Sequence, residues 1–304
     1  MKLSVMSIAM IGAIGLGFRA VPTSGDDISA EQYSVILNLS GRQRMLTQKM
    51  SKEFLLVAAD VSGSKNRENL KGTMGLFEKT LKGLRDGDAA VGLPPTPNAR
   101  VVRQLDKIRK LYEIIQPALI GTADGARPEA AELATVAGNN LPVLSNMNKA
   151  VKMYERESRK VLEGADSLGV VINLAGKQRM LTQKMSKEFM LVYLGINTDE
   201  NRLNLRETTA LFDQTLAGLI DGNEDFGLPG TKDVAIRKQL KAVDELWKKF
   251  QPVVRRACDE KLKLTKGEAQ QVATMNMPLL REMNAAVKMY ELQGKDIDVQ
   301  PASE

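Results

Sequence analysis

The sequence predicts an all-α protein built as two tandem up-down four-helix bundles, and three observations predict it. The stretch at residues 37–57, LNLSGRQRMLTQKMSKEFLLV, returns 135 residues later at 172–192 as INLAGKQRMLTQKMSKEFMLV, with 17 of 21 positions identical. Behind each copy, apolar residues recur at three- and four-residue spacing through three further segments separated by Gly, Pro and Asp. Aromatics are only 4% of the 304 residues, while Leu, Met, Ala, Lys, Glu and Gln abound, a balance that favours helix over strand. Four helices with one apolar stripe each, joined by short connections, bury those stripes as an up-down bundle.

Residues 1–20 start with Lys2 and an apolar run over 3–18 that is short for a membrane span and suits a secretory signal. The expectation is a signal peptide and linker over residues 1–24 and a periplasmic protein. Ser29-Ala-Glu-Gln32 reads as a capping box. The first helix it opens runs through the repeated stretch to about Asp60, where Gly63 and Ser64 break it. A second helix covers about 66–85, with Leu70, Leu76, Phe77, Leu81 and Leu84 at helical spacing. Asp86-Gly87-Asp88 and Gly92-Leu-Pro-Pro95 turn the chain into a third helix at about 98–120, with Leu105, Ile108, Leu111, Tyr112 and Ile115 inward. The fourth follows Arg127-Pro128, is bent at Pro142 and ends near Glu163.

The second copy repeats this plan, keeping Leu205, Phe212, Leu216 and Leu219 in its second helix and exchanging Tyr112 for Trp247 in its third. One insertion before the fourth helix makes the offset there 136. Bundle 1 is therefore expected over residues 28–162, bundle 2 over 163–296, and a frayed tail over 297–304.

Composition excludes several classes of function. There is no histidine, which removes His-assisted nucleophilic catalysis and nearly every zinc site. The single cysteine, Cys258, has no partner for an internal disulfide. Neither copy offers a nucleophile beside a base or an inward carboxylate cluster, so no enzyme, cofactor or metal is expected. The formal charge of +6 arises from basic residues interleaved with acidic ones, without a Lys/Arg block or a basic-aromatic stripe. That pattern speaks against nucleic acid and suits a small anion or an acidic surface.

The repeated helix carries the functional signal. At 100° per residue, Leu39, Leu46, Met50, Phe54 and Val57 share a core side, and Leu37, Gly41, Arg44, Met45, Gln48, Lys52 and Leu55 fall roughly opposite. A solvated face has no use for that second set, and Gly41 costs about 1 kcal/mol relative to Ala in a helix. The second face is therefore read as a contact surface with a polar pocket. The third helices share 5 of 16 aligned residues, whereas Gln43, Arg44, Thr47, Gln48, Lys49, Ser51 and Lys52 are unchanged between copies. Those polar positions are read as having no core role, so the constraint is placed on the outside of the helix. Arg44 and Arg179 offer planar forks for an oxyanion or carboxylate, with Gly41 and Gly176 giving room and Asn38, Asn173, Gln48 and Gln183 completing the donors.

The run Asn-Leu-(Ser/Ala)-Gly-(Arg/Lys)-Gln-Arg-Met-Leu-Thr-Gln-Lys-Met resembles the first-helix signature of the PilJ-type domain. That domain is the periplasmic N-terminal sensor module of type IV pilus chemotaxis transducers. The run is also similar to the nitrate/nitrite-binding segment of NarX-like sensor kinases. The resemblance covers both copies, and it implies four-helix bundles that dimerise along the first helix. In nitrate-binding members it implies a planar anion at that interface, held by the arginine of the Arg-Met pair, Arg44 and Arg179 in this chain, near Gly41 and Gly176. The transmembrane and signalling parts of such receptors are not seen in this sequence, so a membrane sensor or chemoreceptor is the partner expected. Tandem modules also depart from the family. Stacked end to end, the bundles would need a homodimer through the first helix to build two sites; folded back at 164–169, one chain supplies both arginines. The expectation adopted is stacking. The function expected is a soluble periplasmic sensing protein for a small oxyanion, nitrate or nitrite first. Its rival is a non-enzymatic interaction protein whose first-helix faces dock a chemoreceptor or type IV pilus component without a small ligand.

Overall fold

The computed structural model describes residues 28–159, 161 and 166–297. Among them lie eight α-helices and no strand: α1 (Ala30–Ala58), α2 (Gly63–Asp86), α3 (Ala99–Ala123), α4 (Ala130–Ser158), α5 (Asp166–Tyr193), α6 (Thr198–Asp221), α7 (Val234–Arg256) and α8 (Lys266–Ile297). The expected signal segment, the bundle boundary at 162–163 and the tail beyond Ile297 lie outside the described residues. No helix among the described residues is long and apolar enough to cross a membrane.

Local signals decide where the helices begin and end. The Ser29 hydroxyl accepts from the Gln32 N–H at 3.2 Å while the Gln32 side chain accepts from the Ser29 N–H at 2.9 Å, so the capping box forms as read. The break after α1 falls earlier than expected. It occupies residues 59–62, where Asp60 and Ser62 take left-handed backbone at φ 54 and 49, and Gly63 and Ser64 open α2 instead of ending α1. Asn66 fastens this turn by donating to the Val61 carbonyl, and Asn201 does the same to Ile196 in the second copy. Pro142 stands inside a continuous α4, which a proline allows when the freed carbonyl finds another partner or solvent.

In each bundle α1 or α5 packs between its second and fourth helices, and the third helix closes the square. The aromatic exchange is compensated. Tyr112 packs at a tilt against Phe77 with ring centroids 4.9 Å apart and donates its hydroxyl to Glu78, whereas the longer Trp247 packs at a tilt on Phe212 at 4.5 Å and donates to the shorter Asp213. Leu76, expected inward, is 38% exposed, and Leu39 and Leu111 are only half-buried.

The bundles are not stacked end to end. The chain reverses between α4 and α5, and α5 lies along α1 in the most extensive helix pair of the molecule. Because direction alternates at every connection, α5 runs the same way as α1. The Lys266–Asp60 ion pair at the far end agrees, joining the start of α8 to the end of α1. The reason is burial: α1 and α5 each carry two apolar-containing faces, and stacking would leave one of them wet.

Candidate functional site at the seam of α1 and α5

A helix in the middle of two bundles has almost no exposed side. From Ser40 to Val57, α1 is buried at every position except Arg42 and Lys49, which are half-buried. The polar residues unchanged between copies therefore sit inside, which corrects their reading as positions without a core role. Gln43 donates to the Phe77 carbonyl at 2.8 Å and Gln178 to that of Phe212 at 2.9 Å, each pinning its second helix. Lys49 and Lys184 pair with the buried carboxylates of Glu53 and Glu188 and also reach Thr73 and Thr208. Both buried acids near the seam are thus neutralised within their own bundles.

What remains at the seam is positive. Arg44 and Arg179 are buried, at 6% and 5% exposure. The Nη2 of Arg44 donates to Asn173 Oδ1 at 2.9 Å, and that of Arg179 to Asn38 Oδ1 at 3.4 Å, so each arginine reaches across to the other copy's asparagine. The glycines give the room. A Cβ placed on Gly41 would lie 3.4 Å from Arg44 Nη2, and one on Gly176 would lie 3.3 Å from Arg179 Nη2 and 4.0 Å from Arg44 Nη2. The two Nη2 atoms are therefore no farther apart than those last two distances laid end to end. Among the described residues neither guanidinium makes an ion pair with a carboxylate within 4.0 Å. Burial pulls the pKa of both down to about 10, opposed by Glu155 for Arg44 and by Glu291 for Arg179, while Arg44 and Arg42 lower Arg179 further. Six of the eight expected site residues (Arg44, Arg179, Gly41, Gly176, Asn38 and Asn173) thus converge.

Gln48 and Gln183 do not join them. They belong to a second polar layer farther along the seam, which the sequence reading missed. Lys52 Nζ donates to Gln183 Oε1 and Asn276 Oδ1, both at 2.9 Å, and Lys187 Nζ donates to Asn140 Oδ1 at 3.3 Å. Each asparagine turns its amide to the opposite helix: Asn140 Nδ2 donates to the Thr47 carbonyl and to Ser51, and Asn276 Nδ2 to the Thr182 carbonyl and to Ser186. Gln48 donates to Thr47, while its carbonyl and the Gln183 amide nitrogen stay buried without a partner. Burial drives Lys52 and Lys187 down to about 8. The missed signal was the repeated Asn-X-Pro, Asn140 before Pro142 and Asn276 before Pro278. Replacing Asn276 by leucine leaves the Lys52 ammonium with Gln183 as its remaining oxygen acceptor and takes a donor from the Thr182 carbonyl and the Ser186 hydroxyl of α5, so chemical denaturation should show a loss of about 2 kcal/mol. An unchanged midpoint would rule out a structural role for this layer.

Chemically, two nearby buried guanidiniums that make no close ion pair have the donor geometry that a small planar anion can accept from both sides. Two comparisons with known proteins bear on this geometry. The family model for the type IV pili methyl-accepting chemotaxis transducer N-terminal domain, PilJ, matches the chain twice, at residues 29–139 and 161–273. No curated protein matches it.

Proposed function

Since the chain belongs to the PilJ family of type IV pili methyl-accepting chemotaxis transducer N-terminal domains, matched once in each bundle, we propose that it is a periplasmic sensing protein that binds a small oxyanion between Arg44 and Arg179. Nitrate or nitrite is the first candidate. The family gives a chemotaxis-related sensing role. The observation that carries the ligand is the pair of cross-bonded, buried arginines with no carboxylate between them.

Like charges at this separation in a buried seam repel each other. The asparagine oxygens relieve part of that repulsion in the free protein. An anion accepting from both forks relieves more, and does so only if α1 and α5 hold one relative position. Binding energy is thereby converted into a preference for one helix–helix geometry, which is what a sensor has to supply to a partner. The partner proposed is a membrane sensor or chemoreceptor. One chain holds both arginines, so a homodimer through the first helix is unnecessary, and α5 already occupies that face. The same coverage weakens the rival reading, because a first-helix face closed by its sister is not open for docking.

Calorimetry with nitrate on the full chain tests this. One nitrate per chain is expected, with affinity falling by about tenfold or more in Arg44→Ala and in Arg179→Ala. Absence of binding by the wild type, or equal binding by the variants, would remove the proposal.

A further inference from the structure

A groove runs along one flank of the seam, between α1, α2 and α8, and encloses about 720 Å³, within the range of small-molecule sites. Its floor is cationic. Arg42 and Arg179 both line it, and the Nε–H of each is buried without an acceptor. The Nε edge of a guanidinium, taken with one Nη, is the fork that grips a carboxylate in two parallel hydrogen bonds. The wall is apolar: Leu76 and Met277, each 38% exposed, stand above the buried Met45 and Leu280. Exposed apolar side chains beside unsatisfied arginine donors describe a ligand with one charged end and one hydrocarbon end.

The opposite flank lacks this combination. There Arg42 is replaced by Lys177, Gly72 by Glu207 and Met277 by Leu141. A Cβ on Gly72 would meet nothing within 4 Å, so that glycine leaves the groove wide where its counterpart carries a long charged side chain. Repeats that agree at 17 of 21 seam positions have thus diverged on their flanks.

We propose that this groove is a second ligand site, for a small carboxylate with an apolar body, its carboxylate on Arg42 and Arg179 and its hydrocarbon against Leu76 and Met277. The site shares Arg179 with the seam but does not depend on nitrate occupying the seam. Glu291 also lines the groove and its charge acts on both arginines, so an incoming carboxylate competes with it.

The test is calorimetry of the full chain with hexanoate, with acetate and hexanol as controls. Hexanoate should bind, acetate about tenfold or more weaker because it buries almost no hydrocarbon, and hexanol not measurably. Arg42→Gln should weaken hexanoate by about tenfold or more, Glu291→Gln should strengthen it, and Arg44→Gln should cost less than Arg42→Gln because Arg44 reaches the ligand only through its charge on Arg179 and does not line the groove. Failure of the wild type to bind hexanoate, equal binding by Arg42→Gln, or a loss in Arg44→Gln as large as that in Arg42→Gln would overturn the proposal. Nitrate titrations of the same variants report the seam separately, since Arg44→Gln should weaken nitrate by about tenfold or more and Arg42→Gln should weaken it less, the reverse of their order for hexanoate.

Discussion

Replacing Arg44 and Arg179 together by methionine is expected to make the anion-free protein more stable, by about 3 kcal/mol. Both guanidiniums are drawn down to about 10 by burial. A base whose folded pKa lies below its unfolded value holds its proton less tightly when folded. The resulting penalty is complete at every pH below about 10 and so is present in full at neutrality. Each unit of displacement corresponds to about 1.4 kcal/mol. Two arginines would exceed the stated gain, but Asn173 and Asn38 lose their donors, which offsets part of it. Methionine keeps an unbranched chain about as long as the arginine stem as far as Nε in the same slot. Urea unfolding at pH 7 in nitrate-free buffer should show the midpoint moving up in the variant. Adding nitrate should then raise the wild type alone, because only a protein that binds the ion gains stability from it. A variant that unfolds at lower urea would mean that the seam arginines hold the bundles together, and the reading of a receptor strained until occupied would fail.

How much of this was legible in the sequence follows from what periodicity can express. Helix number, order and the capping box at Ser29 were readable, because each rests on contacts within a few residues. That Arg44, Gly41 and Asn38 in one copy and Arg179, Gly176 and Asn173 in the other form a site was readable in outline, since duplication marks the positions and a helical wheel puts Arg44 and Gly41 on one face, but the stacking adopted kept the two sets apart within one chain. The relative placement of the bundles was not. It depends on burying a second face of α1 against a second face of α5, and a wheel shows that a face is mixed without showing what covers it. The same blindness misassigned Gln43, Thr47 and Ser51. Polar residues on a fully enclosed helix look solvated until their partners, Phe77, Asn140 and the carbonyls around them, are seen. Asn140 and Asn276 escaped notice because their partners are remote in sequence: each donates to the first helix of its own bundle, about 90 residues back, and accepts from a lysine of the other bundle. Helix ends next to left-handed residues were displaced for a local reason: Asp60 and Ser62 adopt a backbone more usual for glycine, so Gly63 drew the break two residues too late.

Stability should rise, not fall, as the solution is made alkaline from pH 7 to pH 10, by about 2 kcal/mol for each of Lys52 and Lys187. Both ammonium groups are fully enclosed and sit at about 8, against 10.5 for an ordinary lysine. The direction follows from proton counting. Below about 8 both folded and unfolded chains carry the proton, and the folded state bears the whole cost of enclosing the charge. Between about 8 and 10.5 the folded lysine is neutral while the unfolded one still binds its proton, so each step up in pH favours the folded state. Nearby charges act on both groups more weakly than burial does: Glu53 supports Lys52 and Lys49 opposes it, while Glu188 and Glu200 support Lys187 and Lys184 opposes it. Tyr112, Tyr154 and Tyr290 are all pushed upward by burial, so they favour the unfolded state only above about pH 10, and the measurement stops there. Urea midpoints of the wild type and of Lys52→Met/Lys187→Met at pH 7, 8, 9 and 10 decide the matter. The wild type should climb more steeply than the variant, in which the lowered Lys177, Arg44 and Arg179 still favour the folded state as pH rises and the raised Cys258 thiol opposes them. A variant that climbs as steeply would place the titrating groups elsewhere, and a wild type that falls would mean that the two ammonium groups are held by the asparagine layer more firmly than burial weakens them.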